Sequence, residues 1–354
     1  MDMRIAVVIL NWNTEGYLKA FLPPLLASCP PDAEVIVADN GSSDGSLELL
    51  RTEFPQVRTI PLGENLGFTG GYNRALGEVQ AEYFVLLNSD ILVAPGWLEP
   101  LVAYMDAHPE CGVCGPKLHA LVESDGGYEK LDRFEYAGAA GGRLDRFGFP
   151  FCRGRVMQRV EQDSGQYDSV RVVLWITGAC MVTRSSIWKE LGGLDDRFFA
   201  HMEEIDYCWR AALRGHAVTV VPQSVVWHLG GGTLRPDSPF KLELNYRNNL
   251  LLLENNLPAT VGAFRARLIL FFRLLIDLAS AMVYLLQGRR EYFRSVIRGH
   301  KGFRKLRRGI GAVPSGRRGI AGYWKKCVIL QSLLRGAGIF RYLKKYEDSY
   351  CGSR

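Results

Sequence analysis

Residues 175–233 read WITGACMVTRSSIWKELGGLDDRFFAHMEEIDYCWRAALRGHAVTVVPQSVVWHLGGGT, and this stretch decides the fold. It opens as an apolar strand running into Gly178, turns through Gly192-Gly193, and reaches three acids, Glu203, Glu204 and Asp206. A helix-like run follows from Asp206 to Arg214, then a β-branched strand from Ala217 to Val221, then Trp227-His228. Carboxylates gathered where a helix begins, with a His after the next strand, stand on rigid supports suited to a general base and a metal ligand.

Upstream, Ile5-Ala6-Val7-Val8-Ile9-Leu10 is a continuous, mostly β-branched run, as expected of a parallel strand buried on both faces. The turn Asn11-Trp12-Asn13-Thr14 follows. Glu15 to Ser28 reads as a helix with Leu18, Phe21, Leu22, Leu25 and Leu26 on one face, which Pro23-Pro24 should kink or break. Further strands are expected at Glu34–Asp39, Val57–Pro61 and Tyr83–Leu87, with helices at Ser46–Phe54 and Gly67–Val79 between them. This alternation predicts an α/β domain with a mainly parallel sheet, whose ligands bind beyond the carboxyl ends of the strands. Asp39 and Asp90 both fall at such ends. Gly96–His108 reads as a helix and Gly112–Leu118 as a strand. Residues 120–169 read as a long binding-loop insertion with a hairpin pairing Phe134–Ala139 and Arg143–Phe149.

Downstream, Phe240–Asn256 reads as a helix, and Pro258 begins a different region. The division is a catalytic domain over 1–257 and a helical, basic region over 258–354. Leu268–Leu286 just reaches membrane-spanning length, but Arg273 and Asp277 near its middle make spanning costly. Gly288–Arg308 is strongly basic, Val313–Ile320 is a Gly/Pro/Ser linker, and Tyr323–Tyr346 is an amphipathic helix pair. From Phe264 onward there are 21 Lys+Arg against 4 Asp+Glu, whereas the preceding residues carry 22 against 33. An acidic body with a basic tail points to an anionic partner for the tail. No RNA-binding module accompanies the basic residues, so a membrane surface is expected and not a nucleic acid. Eight unpatterned Cys, and a first apolar run too short for a signal peptide, predict free thiols in a reducing, cytoplasmic compartment.

Several residues can carry chemistry. Asp39, in Ala38-Asp39-Asn40-Gly41-Ser42-Ser43-Asp44-Gly45, can accept from the N3–H of uracil or thymine, or simply cap its turn. Gly67-Phe68-Thr69-Gly70-Gly71-Tyr72-Asn73 can offer backbone N–H groups to a diphosphate, or let a helix pack closely on the sheet; it is neither GxGxxG nor a P-loop. Asp90, closing Asn88-Ser89-Asp90, is a hard oxygen donor suited to a diphosphate-bound Mg²⁺ or Mn²⁺, or part of a strand-ending turn. One of Glu203 and Glu204 can serve as a base, while Asp206 and Arg210 are spaced to pair along one helix face. His228 is either a packed histidine or a ligand. His108, Cys111, Cys114 and His119 have zinc-like types, but strand alternation should send the two Cys to opposite faces.

These motifs resemble glycosyltransferase family 2, and within it the bacterial rhamnosyltransferase and galactofuranosyltransferase branches. The resemblance implies a GT-A fold and a nucleotide-sugar donor held by Asn11, Asp39, Asn65, Gly67, Asn88, Ser89 and Asp90, with Asp39 on the base. It implies a divalent metal on Asp90 and His228, and Glu204 as the base because the family uses the second of the adjacent acids. Glu203 stays a second choice, since Glu replaces the usual Asp. Asn88 stands where the family has an acid, which removes one charge from the metal. The implied reaction is inverting transfer from dTDP-rhamnose, UDP-galactofuranose or another UDP-sugar to a hydroxyl of a glycan or lipid-linked acceptor in cell-surface polysaccharide synthesis. The basic tail would then lie against the inner face of the cell membrane, with oligomerisation left open. Asn88 and Glu204 also suit an inactive member serving as a scaffold. A nucleotidyltransferase would need a Gly-rich, Lys/Arg-bearing loop that Asn11–Gly16 lacks.

Overall fold

The computed structural model describes residues 3–230, 238–310 and 319–351, so most of the expected Val313–Ile320 linker and the end of the 175–233 stretch lie outside the described residues. The first half is the alternating unit: β1 (Ile5–Asn11), α1 (Glu15–Ala27), β2 (Ala33–Asp39), α2 (Ser46–Glu53), β3 (Arg58–Pro61), α3 (Gly67–Gly77) and β4 (Tyr83–Leu87). β1 pairs in parallel with both β2 and β4, and β2 with β3. Ile5, Val7 and Ile9 enter one buried cluster and Ala6 and Val8 the other, which is why the strand is apolar without alternation.

The sheet then becomes mixed. β5 (Ile91–Val93), α4 (Glu99–Ala107), β6 (Cys111–Ser124) and β7 (Gly127–Phe134) follow, then β8 (Gly142–Asp145), β9 (Pro150–Cys152), β10 (Arg155–Val156), β11 (Arg159–Val160), β12 (Arg171–Val172), β13 (Cys180–Arg184), α5 (Ser185–Leu191), α6 (Glu203–Arg214) and β14 (Ala217–His228). The main path is β12-β14-β6-β13-β4-β1-β2-β3, with β13 antiparallel to both neighbours and β5 and β7 attached to β14 and β6.

Three local expectations change. α1 runs unbroken through Pro23 and Pro24. Pro23 is exposed and Pro24 half-buried, and both point away from Leu18, Phe21, Leu22 and Leu25, which hold the helix on the sheet. The hairpin of the insertion forms between β6 and β7, closing at Ser124↔Gly127 around Asp125-Gly126; residues 142–145 pair with β9 instead. A bulge at Gly112, where Ala217↔Cys111 is followed by Val218↔Val113, restores Cys111 and Cys114 to the same buried cluster. His108 stacks on Tyr104, and His119 bonds to Asp163 at 2.8 Å.

α7 (Pro239–Val261), α8 (Ala263–Leu286), α9 (Arg290–Leu306), β15 (Tyr323–Trp324), α10 (Val328–Arg335) and α11 (Ile339–Cys351) complete the chain. α7 crosses the expected 257/258 division without a break, and its Leu250–Leu253 share one buried cluster with Ala266, Ile269 and Phe303. β15 adds in parallel to β8, extending the small sheet β11-β10-β9-β8-β15. Buried Asp145 accepts from Val328 N at 2.8 Å at the start of α10, and Phe151 and Trp324 pack with Val328, Ile339 and Leu343.

Candidate active site

The carboxyl ends of β1, β2 and β4 are joined by one buried polar network. Asn11 Nδ2 donates to Asp39 Oδ1 at 2.8 Å and to Ser42 Oγ at 3.0 Å. Asp39 Oδ2 accepts from Ser42 N at 3.0 Å. Thr14 Oγ1 donates to Asn11 Oδ1 at 2.5 Å and lies 2.9 Å from Ser89 Oγ, whose hydroxyl can donate to it. Asn11, Asp39 and Ser89, separated in sequence, thus meet because three parallel strands end side by side. Nearby, Asn40 bridges Asn65 Oδ1 and Gly67 O, each at 3.1 Å, and Gly67 N donates to Asn65 Oδ1 at 2.9 Å.

The start of α3 is used differently from the sequence expectation. The N–H groups of Phe68 and Thr69 both donate to Phe199 O, at 2.7 and 3.2 Å, so they are engaged within the protein and not offered to a diphosphate. Gly67 has φ +72°, and a Cβ there would come within 2.4 Å of the Phe199 ring. The glycine exists for this close approach, which brings the loop before Glu203 and Glu204 against the start of α3. Asn73 ties α3 to the same loop through Leu194 O at 2.8 Å and Asp196 at 2.6 Å.

Asp90 and His228 are brought together by strand pairing. Antiparallel β5–β14 places His228 opposite Ile91, and Leu229 N donates to Asp90 O at 3.2 Å. His228 Nε2 stands 3.2 Å from Asp90 Oδ1. On the other side of the ring, Nδ1 stands 3.5 Å from Glu135 Oε1, too long for a hydrogen bond. Burial opposes a charged imidazole, but Asp90 and then Glu135 outweigh it and lift His228 to about 10. The pocket demands positive charge, which a ring proton or a divalent cation can supply. Carboxylate and imidazole donors, with an orphaned buried ring nitrogen, fit Mg²⁺ or Mn²⁺. Among the described residues no cluster of three such side chains converges on one point, because His228 lies between the two acids.

Glu135 was not among the sequence candidates. It lies in the weakly periodic insertion, and only its pairing across to Leu118 O brings it to β14. Asn88 is fixed through its backbone N–H to Ala179 O at 2.9 Å.

Glu203 and Glu204 open α6. The chain enters that helix through Phe199, His201 and Met202, all at positive φ (64°, 71° and 71°). Asn248 of α7 holds this turn, its amide donating to Phe198 O, Ala200 O and His201 O at 2.9, 2.8 and 2.7 Å. Sequence reading missed this residue as well. Glu203 is buried, and its Oε2 has no hydrogen-bond partner. Burial and then the neighbouring Glu204 push its carboxyl well above the usual range. Glu204 is half-buried, and burial raises it to about 7. A Cβ built on Gly178 would lie 3.6 Å from the Cβ of Glu204 and 3.0 Å from Phe68. Gly178 directly precedes Ala179, which holds Asn88, so the acids and the Asn88–Asp90 segment border the same turn. Asp206 faces inward, bonded to Arg210 at 2.6 Å, Asn255 at 2.9 Å and Asn256 at 2.7 Å, which makes it a support for the helix.

The family model described as glycosyl transferase family 2 matches residues 6–163. Over 260 residues the chain is 26% identical to the N-acetylglucosaminyl-diphospho-decaprenol L-rhamnosyltransferase of Mycobacterium tuberculosis, covering 70% of this chain and 83% of that protein. Among solved structures it resembles the mannosyltransferase PcManGT of Pyrobaculum calidifontis in complex with GDP-Man and Mn²⁺ (TM-score 0.51, 13% identity, 98% of this chain and 84% of that one). It also resembles GalNAc-T7 with UDP, GalNAc and Mn²⁺ (TM-score 0.55, 18% identity, 69% of this chain), spanning about half of that longer protein, 47%. With strand ends, acids and helix starts arranged as described, residues 6–163 carry a glycosyl transferase family 2 domain and the chain has the GT-A fold of these structures.

Proposed function

We propose that this protein is a metal-dependent inverting glycosyltransferase that moves one sugar from a nucleotide diphosphate to a hydroxyl of a glycan or lipid-linked acceptor. The observation that carries the reading is Glu204: a half-buried carboxyl with its pKa at about 7, at a helix start bordering the turn that fixes Asn88. Such a group is poised to take a proton near neutral pH. Glu204 removes the acceptor O–H proton as that oxygen bonds to the anomeric carbon. The bond from that carbon to the diphosphate oxygen breaks, and its electron pair leaves with the nucleotide. Single displacement inverts the centre and needs no covalent nucleophile.

Asn11 and Ser42 orient Asp39 toward the base of the nucleotide. Asp90 and His228 would hold a divalent cation that neutralises the leaving diphosphate. Glu203, kept neutral by its burial, leaves Glu204 as the acid that ionises. The rhamnosyltransferase relative supports dTDP-rhamnose as the first donor to try and a polyprenyl-diphosphate sugar as the first acceptor, followed by UDP-galactofuranose and other UDP-sugars. A cytoplasmic setting, where nucleotide sugars are available, fits this reading.

The test is a nucleotide-sugar panel with Mn²⁺, read by thermal shift and by release of the nucleoside diphosphate, with the product's anomeric configuration assigned by NMR. A retained configuration, or no stabilisation by any donor, refutes the reading. Donor binding without turnover would instead favour the inactive scaffold suggested by Asn88.

A further inference from the structure

α8 has two faces of opposite character. At 100° per residue, Ala266, Arg273, Asp277 and Ala281 fall on one side, and all four are buried. Phe264, Phe271, Leu275, Met282 and Leu286 fall on the other, where they are 73, 56, 46, 50 and 84% exposed. The inner face is locked by charge. Arg273 Nε pairs with Asp277 Oδ1 at 2.7 Å, and the guanidinium also donates to Phe147 O at 2.7 Å and to Asn249 Oδ1. Asp277 Oδ2 meets His300 Nε2 at 3.1 Å. These partners belong to the insertion, α7 and α9, so rotation or withdrawal of α8 would strand a buried ion pair. The two charges that make spanning costly thus define which way the helix faces, and they hold it against the protein.

The outer face is thus a stripe of exposed apolar side chains running the length of the helix, the kind of surface that marks an interaction site on a protein. It is flanked at one end by exposed Arg265 and Arg267 and at the other by exposed Arg289 and Arg290. The only acid of α8 is Asp277, which points inward. A bare apolar stripe with a basic residue pair at each end matches an anionic lipid surface, with acyl chains against the stripe and headgroups at the arginines. A second copy fits less well. Pairing α8 with itself, in either direction, sets arginines against arginines at both ends.

We propose that the outer face of α8 is a membrane-docking surface that lies in the plane of an anionic bilayer without crossing it. Docking also orients the enzyme. The inner face reaches Asn249 of α7, whose Nδ2 lies 3.7 Å from Met202 Sδ, the residue before Glu203. Two packed helix layers therefore separate the lipid from the catalytic acids, roughly 20 Å. Delivery of a lipid-linked acceptor across that distance is a consequence that rests on the proposed function; the docking itself does not.

The test uses the full chain and vesicles of phosphatidylcholine with or without phosphatidylglycerol, sedimented in the absence of nucleotide sugar. The wild type is expected to pellet at least tenfold more with the anionic vesicles and to be partly released by high salt. Phe271→Glu/Leu275→Glu should abolish pelleting with an unchanged melting temperature, since both positions are exposed. Arg265→Glu/Arg267→Glu should reduce binding and its salt dependence. Equal recovery of wild type in the supernatant with both vesicle types overturns the proposal. So does a wild-type dimer in analytical ultracentrifugation that Phe271→Glu/Leu275→Glu turns into a monomer, since the stripe would then serve a second copy. Donor-induced thermal shift, measured separately on the same samples, reports on the glycosyltransferase reading and is unaffected by either outcome.

Discussion

Glu204→Gln should make the protein inactive and, above neutral pH, more stable. Glutamine keeps the size and hydrogen-bonding shape of the side chain but cannot take a proton. Loss of a general base typically lowers the rate by about 10²–10⁴-fold, and donor affinity should change little because Asp39, Asp90 and His228 are untouched. The stability effect follows from burial. Glu204 is raised from an ordinary 4.5 to about 7 in the folded protein. A raised carboxyl contributes no penalty below about pH 4.5, where it is neutral in both the folded and unfolded states. Between pH 4.5 and 7 the unfolded chain releases the proton first, so wild-type stability falls as pH rises and levels off above about 7. At 1.36 kcal/mol per unit, that displacement corresponds to about 3 kcal/mol at the plateau. Glutamine carries no such penalty.

Thermal melts of wild type and Glu204→Gln from pH 4.5 to 8.5 should therefore coincide at the acid end and separate by a few degrees at the alkaline end, with the variant higher. With donor and Mn²⁺ saturating, the wild-type transfer rate should rise through about pH 7 as Glu204 ionises. Glu203→Gln should retain most of that rate, because Glu203 is already neutral. A Glu203→Gln variant that is dead while Glu204→Gln works normally would move the base by one position. Melting curves that differ by the same amount at every pH would refute the desolvation argument.

Other perturbations separate the remaining parts of the site. Asp90→Ala should lose Mn²⁺ binding in calorimetry and all transfer, Asn88→Ala should be milder, and excess EDTA should silence the wild type; full activity in EDTA would mean that the leaving group is stabilised by protein alone. Glu135→Gln removes the negative charge that faces His228 Nδ1, so Mn²⁺ affinity should fall, by about 10–100-fold if that acid acts on the ligand as an outer-shell partner does; unchanged affinity would reduce Glu135 to a structural contact. Asn248→Ala removes the donor for three carbonyls, so denaturant unfolding should show a loss of about 2 kcal/mol or more together with a lower kcat. An unchanged kcat in a folded variant would show that the turn holds itself.

The parallel strands were legible because burial on both faces leaves an unbroken apolar run, as in Ile5–Leu10, and because Asp39 and Asp90 close such runs. The places that misread share a cause: partners distant in sequence. A bulge at Gly112 reversed the parity of Cys111 and Cys114, and nothing local to the strand announces it. Pro23, exposed, and Pro24, half-buried, lie off the apolar face of α1, which only the packed helix reveals. Glu135 becomes a neighbour of His228 through a backbone bond to Leu118. Arg273 and Asp277 look like obstacles inside an apolar helix until Phe147, Asn249 and His300 are seen around them.

The segment from Phe199 to Glu204 concentrates cost. Three non-glycine residues sit at positive φ, about 1–3 kcal/mol each in such regions, and both acids are raised by burial. The Nε2 of His201 and the Oε2 of Glu203 are buried without partners. Such a turn persists only if its surroundings over-determine it, and those surroundings are α3 on one side and α7 on the other. Phe199 O takes two amides of α3, while Asn248 holds Phe198, Ala200 and His201, and Asn255 and Asn256 hold Asp206. The residues flanking the proposed base are thus clamped between the donor-side helix and the helix that carries the C-terminal region. Ala266, Ile269 and Phe303, beyond α7, share one buried core with residues of the sheet. Asn249 of α7 touches both Met202 and the Arg273 that fixes how α8 faces, so the register of the proposed docking stripe and the placement of Glu203 and Glu204 depend on one packed unit.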